Sequence, residues 1–165
     1  MKEIKLTRGL KAKVDDQDYE WLNQWKWSAR KSGNTFYATR HSKTVNGKRH
    51  DIIMHRLILN VPKGMQTDHA DTDGLNNQRY NIRVCTQREN AQNRKRYKGS
   101  ASQYKGVHWN LKTKKWHAHI RFNGKLLYIS YHDTEEAAAR AYDTKAIELF
   151  GDFARTNFNQ AAQAA

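Results

Sequence analysis

The strict alternation of side chains between residues 115 and 122 constrains the fold of this chain more than any other feature. Every second residue from 116 to 122 is apolar, and the residues between them are lysine, histidine or arginine. A period of two predicts a strand with one buried face and one exposed face. Asn123-Gly124 follows at once and is typical of a tight hairpin turn, so residues 125–130 are predicted to return as the partner strand.

A helix is predicted after this hairpin and a third strand before it. Residues 133–136 combine a capping residue with acids suited to a first helical turn, and Gly151 is expected to end the helix. Residues 106–109 would form the third strand. Because the helix is rich in alanine, it can lie close to the apolar face of the sheet. Residues 103–159 are therefore predicted to form a three-stranded antiparallel sheet packed on one helix.

The opposite face of this sheet is predicted to be bare, basic and rich in histidine. The major groove of DNA admits a β-ribbon, so we interpret this face as a DNA-binding surface. The composition agrees, because 30 Lys+Arg against 16 Asp+Glu give a net charge of +14, which favours polyanions. No acidic residue occurs between Glu89 and Asp133, an interval that contains the cations Arg94, Lys95, Arg96, Lys98, Lys105, Lys112, Lys114, Lys115, Arg121 and Lys125.

Composition also limits the class of protein. The 5 Trp, 8 Tyr and 5 Phe argue against disorder. The single Cys85 excludes an internal disulfide framework and a Cys₄ or Cys₂His₂ zinc site, and one thiol fits a reducing compartment. No stretch is apolar over the roughly 18 residues of a membrane span, and the N-terminus lacks the apolar run of a signal peptide. We expect a cytoplasmic protein with no membrane partner.

The first fifty residues read as short strands and turns. Residues 36–40 and 51–54 are predicted to pair as a hairpin across Asn46-Gly47. The three tryptophans of this region are predicted to lie in the core, with stacking on DNA as the alternative: Trp21, Trp25 and Trp27.

A cluster of acid, histidine and asparagine side chains follows in residues 67–77. The surrounding segment, residues 65–93, reads as strand, long loop, strand and helix. The helix start is marked by a capping box in which Thr86 is the N-cap and Glu89 reaches back to it. Asn90 is therefore predicted to lie in the first turns of that helix.

These side chain types suit phosphodiester hydrolysis. Magnesium prefers oxygen ligands, which Asp68 and Asn90 supply, and His69 suits a general base near neutral pH. One alternative treats residues 71–74 as an ordinary turn. A calcium loop is disfavoured, because Ile82 stands where that loop requires glutamate. Adjacent residues of a regular strand point to opposite faces, so the aspartate and the histidine converge only if the backbone is irregular.

The chain here resembles the HNH endonucleases, and more closely the phage-encoded homing endonucleases of that group. The resemblance is carried by residues 54–59, Asp68-His69, Asn76-Asn77, 81–83 and 86–90. It implies a ββα-metal nuclease core over residues 54–95 that cleaves double-stranded DNA inside a bacterial host cell. The implied roles are a base that activates water for His69, a loop-holding and base-orienting role for Asn81, and metal ligands in Asp68 and Asn90.

The last motif position is asparagine here, whereas many members have histidine, so Mg²⁺ or Mn²⁺ is favoured over zinc. One active centre per chain predicts nicking, and a double-strand break would require two chains. No obligatory protein partner is evident, and monomer and dimer both stay open. The alternative function is a non-catalytic, sequence-specific DNA-binding regulator that retains a nuclease-like core.

A second resemblance covers residues 102–158, which look like the ethylene-response-factor DNA-binding domain of the APETALA class. It is carried by residues 104–107, 116–121, 135–143 and Asn157-Phe158. This resemblance implies a sheet that enters the major groove and recognises the cleavage site. The implied DNA-binding residues are Lys105, His108, Lys115, His119, Arg121, Lys125 and Tyr128, to which the basic segment adds Arg94 and Arg96.

Two other interpretations of the sheet face are weaker. A zinc site from His117 and His119 lacks an evident third ligand. RNA binding is disfavoured because the face lacks the paired aromatic residues that stack bases. The whole chain is thus predicted to be an α+β protein, with a β-rich region (1–53), a nuclease core (54–95), a basic linker (96–102), a DNA-binding domain (103–159) and a tail (160–165).

Overall fold

The computed structural model describes residues 1–42, 49–93 and 101–158, which form a mixed α+β protein with several small sheets, as predicted. The chain divides into two compact units, Met1–Asn90 and Ala91–Ala165. Within the described ranges, we find no helix whose length and apolar character would let it cross a membrane. Arg94, Arg96, most of the predicted linker and the predicted tail lie outside the described residues.

The described residues of the N-terminal unit form three small sheets. Strands β1 (Lys2–Lys5) and β2 (Lys11–Val14) pair antiparallel around a 3₁₀ turn and lead into helix α1 (Asp16–Asn23). The second sheet has the order β3-β4-β5, formed by Ser28–Ser32, Thr35–His41 and Asp51–Ile53. Helix α2 (Met54–Ile58) leads to the third sheet, in which β6 (Gln66–His69) and β7 (Ile82–Cys85) pair before helix α3 (Gln87–Gln92).

The predicted hairpin of this unit is present. Thr39, Arg40 and His41 of β4 lie opposite residues 51–53 of β5 in an antiparallel register. The turn residues Asn46-Gly47 lie outside the described residues.

Of the three tryptophans predicted to lie in the core, only Trp27 is fully buried. Its indole N–H donates to the backbone oxygen of Leu22 at 2.9 Å. Trp21 packs against the core while partly exposed, whereas Trp25 is 39% exposed, so its assignment to the core was wrong. The guanidinium of Arg40 lies 4.2 Å from the centroid of the Trp25 ring, so the indole makes a cation–π contact at the surface.

An ion pair between a buried aspartate and a partly exposed arginine connects α1 to the loop between β6 and β7. Asp18 is 2% exposed and accepts from Nε and Nη2 of Arg79, both at 2.8 Å. Asp15 adds a bond from the Arg79 backbone N–H at 2.8 Å. Bidentate arginine–carboxylate pairs fix orientation as well as distance, so the long loop is held to the N-terminal helix.

The C-terminal unit has the predicted three-stranded sheet and single long helix. The order is β10-β9-β8, formed by Lys125–His132, Lys115–Phe122 and Val107–Asn110, and α4 spans Glu135–Phe150. Asn123 and Gly124 both have positive φ, as the tight hairpin requires. Thr134 caps α4 by accepting from the Ala137 N–H at 3.2 Å, and Gly151, with φ 51°, ends it.

The core of this unit is formed by the apolar sheet face and the alanine side of the helix. Val107, Ala118 and Ile120 pack against a helix face that contributes Ala138, Ala139, Tyr142 and Ala146. The approach is close at Gly106, where an added Cβ would lie 2.0 Å from the Tyr142 ring. The alternation of the sequence therefore correctly identified the buried face. The other face of the sheet is not covered by α4.

Candidate active site and the outer face of the C-terminal sheet

The β6–β7 hairpin and α3 have the predicted order of strand, loop, strand and helix. The capping box is present, because the Thr86 hydroxyl accepts from the Glu89 N–H at 3.2 Å and Glu89 Oε2 accepts from the Thr86 N–H at 2.7 Å. These reciprocal bonds satisfy free N–H groups at the helix start. They hold Asn90 in the first turns of α3.

Asn90 faces the same side of the hairpin as Asp68. Its amide Nδ2 donates to Gln66 Oε1 at 2.8 Å. Gln66 and Asp68 are two residues apart on β6 and so share a face. Cys85 lies opposite Gln66 and is fully buried; burial, followed by the charges of Asp68 and Glu89, raises its pKa to about 11. A thiol with this pKa is protonated at neutral pH.

Asp68 is held by an arginine that sequence analysis had given no role. Asp68 is 6% exposed, and its Oδ2 accepts from Arg83 Nε at 2.9 Å and Nη2 at 2.5 Å. The two residues are partners in the β6–β7 register. The carboxylate is thereby oriented and partly neutralised. The pair could have been predicted only from the register of the two strands. The length of the loop between the strands does not determine that register.

His69 lies in an aromatic pocket formed by two residues that sequence analysis did not assign to the site. The His69 and His55 ring centroids are 4.7 Å apart at 89°, and Tyr37 lies 5.4 Å from His55 and 5.8 Å from His69. Tyr37 is on β4 and His55 on α2, so three separate elements meet at this point. No local pattern predicts such a contact, although His55 belongs to the motif at residues 54–59.

Burial controls the charge state of this pocket. Burial, followed by the charges of His69 and Arg56, lowers the pKa of His55 to about 3. Burial also lowers the pKa of His69, against smaller raising effects from the Asp71 charge, the Asn77 side chain, and the charges of Asp68 and Asp73. A neutral imidazole is the form that a general base requires.

The ladder pairs both Asp68 and His69 regularly with β7, opposite Arg83 and Ile82. Alternation along the strand would by itself point these adjacent side chains to opposite faces. His69 is the last residue of β6, however, and the Asp68 charge acts on its imidazole, where it opposes the lowering of the pKa by burial. The negative charge of Asp68 still acts nearby, because it adds to burial in raising the pKa of Tyr37.

Asn81 ties together the loop that follows His69. It is 1% exposed, and its Oδ1 accepts from the Asp71 N–H at 3.0 Å. Its Nδ2 donates to Asp71 Oδ1 at 3.0 Å and to the Asn76 backbone oxygen at 2.8 Å. Asp71 and Asp73 also accept backbone N–H groups within the turn. These two acids are thus engaged in loop structure.

The donor chemistry near β6 fits a hard cation. Asp68 offers carboxylate oxygen, and Asn90 offers amide oxygen from the same side of the hairpin. Among residues 1–42, 49–93 and 101–158, no group of three His, Cys, Asp or Glu side chains is placed to hold a metal ion. One carboxylate and one amide, completed by water and phosphate, are a typical protein contribution to Mg²⁺ binding.

The outer face of the C-terminal sheet, which we define as the face turned away from α4, contains His108, His119 and Tyr128 of the predicted DNA-binding set. The Nδ1 atoms of His108 and His119 are 2.9 Å apart, and Tyr128 lies opposite His119. Burial lowers the pKa of both histidines, and each is lowered further by neighbouring histidines. This part of the face is therefore less cationic than its sequence indicates.

The four predicted DNA-binding cations of this unit differ in their exposure and in their hydrogen-bond partners. Lys115 forms an ion pair with Asp133 at 2.8 Å, and Arg121 Nη1 donates to the Gly124 backbone oxygen at 3.1 Å. Lys125 is exposed at the hairpin end. Lys105 precedes β8, and its Nζ lies 6.0 Å from the Tyr142 ring; burial, then the Arg155 charge, lowers its pKa to about 8. Lys105 therefore faces the helix side of the unit.

A β-bulge changes the aromatic content of the outer face. The register shifts between Tyr128 and Ser130, so that Tyr131 pairs with His117 instead of turning inward. Tyr128 and Tyr131 are 56% and 59% exposed. The expectation that this face lacks paired aromatic residues was wrong, because strict alternation places residues 128 and 131 on opposite faces.

Comparison with known proteins decides the family. An HNH endonuclease family model matches residues 60–92. An uncharacterized HNH endonuclease of Acanthamoeba polyphaga mimivirus is 31% identical over 156 residues, which is 91% of this chain and 76% of the viral protein. This chain belongs to the HNH endonuclease family. This chain is also 35% identical to Protein 3.8 of Escherichia phage T7 over 95 residues, which is 58% of this chain and 78% of the phage protein.

Part of this chain is also similar to plant proteins. APETALA2-like protein 2 of Oryza sativa subsp. indica is 48% identical over 59 residues, 36% of this chain and 14% of the plant protein. The AP2-like ethylene-responsive transcription factor TOE2 of Arabidopsis thaliana is 43% identical over 61 residues, 37% of this chain and 13% of that protein.

Proposed function

We propose that this HNH endonuclease hydrolyses phosphodiester bonds of double-stranded DNA with the help of Mg²⁺ or Mn²⁺. The observation that carries the proposal is the placement of Asn90 beside Gln66, on the side of β6 that also presents Asp68. β6, β7 and α3 would then form a ββα-metal core. The relatives from a phage and a virus support an enzyme that acts inside a host cell, and we propose that it is of the homing type.

Asp68 and Asn90 would hold the metal ion, which when bound stabilises charge on the phosphate and on the leaving 3′ oxygen. The protein's own residues do the remaining work. His69 accepts a proton from the attacking water at its imidazole, which burial keeps neutral. Asn81 holds the loop beyond the base, and Arg83 keeps the Asp68 carboxylate in one orientation. With one such centre per chain, a single chain would cut one strand.

The C-terminal unit would recognise the DNA site. The partial similarity of the chain to plant proteins, the sheet face left uncovered by α4 and the lack of acidic residues on all three strands support this role. His108, His119, Arg121 and Tyr128 would approach bases in the major groove, while Lys115 and Lys125 would contact phosphates.

The test is cleavage of supercoiled plasmid by wild type, His69→Ala and the control His50→Ala, an exposed histidine of the same unit. We expect His69→Ala to lose about 100-fold or more in rate with Mg²⁺ while still binding DNA, because a general base contributes at least that much. The control should cleave normally, and chelator should stop all cleavage. Undiminished cleavage by His69→Ala would contradict the assignment. Wild type that binds DNA but never cuts it would support the non-catalytic regulator instead.

A further inference from the structure

The outer face of the C-terminal sheet contains a continuous group of five aromatic rings. His108 contacts His119 and His117, with ring centroids 4.7 and 5.4 Å apart. His117 continues the group to Tyr128 at 5.6 Å and Tyr131 at 6.1 Å. The group spans all three strands, because these residues come from β8, β9 and β10. Tyr131 belongs to this group only because the bulge turns it outward.

Reading base edges in a duplex leaves the faces of the two exposed tyrosine rings without a ligand. Discrimination between base pairs in the major groove depends largely on bidentate hydrogen bonds, above all from arginine and amide side chains. The one arginine on the three strands is Arg121, and it donates to the Gly124 backbone oxygen. Tyr128 and Tyr131 are both more than half exposed, and the base faces that could cover their rings are stacked on their neighbours in a duplex.

Charge identifies the kind of ligand that would cover these rings. β8, β9 and β10 contain no aspartate or glutamate. Lys112, Lys114 and Lys125 are exposed at the two turns that border the sheet. A surface of aromatic rings bordered by cations, with no acid on its three strands, is complementary to a chain that has both planar bases and phosphates.

We propose that the outer face of the C-terminal sheet binds unpaired nucleotides of single-stranded DNA, whose bases stack on Tyr128 and Tyr131. The exposed lysines at the turns contact the phosphates. This activity goes beyond duplex recognition, because it uses the faces of the bases and not their edges. It also gives a role to the bulge, which places two tyrosines on a surface where strict alternation would expose only one.

The test uses the full chain carrying His69→Ala, so that cleavage does not interfere. Binding of a fluorescein-labelled oligothymidylate of about 20 nucleotides is measured by anisotropy, beside a duplex of the same length. Replacing both tyrosines with leucine should weaken single-strand binding by about 10-fold or more per ring, since leucine keeps apolar bulk but cannot stack. The matched double phenylalanine variant keeps the rings and should bind as the parent does.

Thermal unfolding followed by circular dichroism checks that each variant is folded. Unchanged single-strand affinity in the leucine variant would overturn the proposal. So would an equal loss in the phenylalanine variant, because the tyrosine hydroxyls would then be the contacts. A larger effect on the duplex than on the single strand would assign the rings to duplex binding. Tighter binding of oligouridylate than of oligothymidylate would assign the face to RNA.

Discussion

The two candidate functional regions both combine antiparallel strands with a helix, yet they differ in the exposure of the side chains that would act. In the β6–β7 hairpin, Asp68, His69 and Asn81 are 6%, 6% and 1% exposed. On the outer face of the C-terminal sheet, Tyr128 and Tyr131 are more than half exposed. A buried polar group must be held by partners, which preorganises it for chemistry, whereas an exposed ring stays available for a ligand.

This contrast predicts that substitutions in the two regions will change different properties of the protein. Substitutions in the hairpin should reduce stability and activity together, because the same hydrogen bonds serve both. Substitutions on the outer face should change binding and leave stability nearly unaltered. The following experiments probe this difference from the largest expected effect to the smallest.

The largest effect is expected at Gly106, in the core beneath the outer face. Its φ is +77°, and an added Cβ would meet the Tyr142 ring at 2.0 Å and the His119 backbone oxygen at 2.7 Å. Gly106→Ala should destabilise the C-terminal unit by about 4 kcal/mol, from left-handed strain and overpacking together. Gly124→Ala is the control, because its φ is +79° but nothing lies within 4 Å.

The control should cost only about 1–2 kcal/mol, the strain contribution alone. Urea unfolding of both variants measures the difference in the transition of the C-terminal unit. Equal losses in the two variants would show that the close approach to Tyr142 does not constrain packing. The outer face would then rest on a looser core than the structure indicates.

The second effect concerns the loop held by Asn81. Asn81→Ala removes three hydrogen bonds and leaves the Asp71 N–H and the Asn76 backbone oxygen without this partner. We expect a loss of about 3 kcal/mol in the free energy of unfolding of the N-terminal unit, since each unsatisfied buried group costs about 1–3 kcal/mol.

Plasmid cleavage should fall in the same variant, because the loop leads directly from His69. The control Asn23→Ala removes an exposed amide at the end of α1 and should change stability by no more than about 0.5 kcal/mol. If Asn81→Ala unfolded like wild type, the hairpin would not depend on its buried polar groups, and the contrast between the two regions would fail.

The third effect is a pH dependence caused by His55. Its pKa in the folded protein is about 3, below the ordinary value of 6.5 that the unfolded chain has. The unfolded state therefore binds the extra proton, and stability is full above about pH 6.5 and is lost as the pH falls toward 3. Tyr37, His69 and Arg56 face this ring and stay unchanged in the comparison below.

His55→Phe keeps an aromatic ring in the pocket and removes the titration. Between about pH 6 and pH 5, the free energy of unfolding of wild type should fall more steeply than that of the variant, by about 1.4 kcal/mol per pH unit. Urea unfolding at several pH values measures the two slopes. Parallel slopes would mean that His55 is protonated in the folded state, and hence that its pocket admits water.

The same contrast explains what the sequence could and could not predict. Period-two alternation and the capping box depend on neighbouring residues, so the C-terminal sheet and the position of Asn90 in α3 were both predicted. The pairing of Asp68 with Arg83 and the contact of His69 with His55 depend on how distant segments pack, and no spacing encodes that. Tyr131 was assigned to the wrong face because one bulge reverses the alternation for every residue after it.

The smallest effect is expected at the Lys115–Asp133 ion pair beside the outer face. The two side chains are 37% and 84% exposed, so the pair adds little to stability. Asp133→Asn frees the lysine and should strengthen DNA binding a few-fold, whereas Lys115→Met removes the cation and should weaken it across all sequences. The salt dependence of binding should become shallower by about one phosphate contact in the lysine variant only. If the two variants changed affinity in the same direction, the pair would be a structural element of the sheet edge, and Lys115 would not be one of the phosphate contacts of this face.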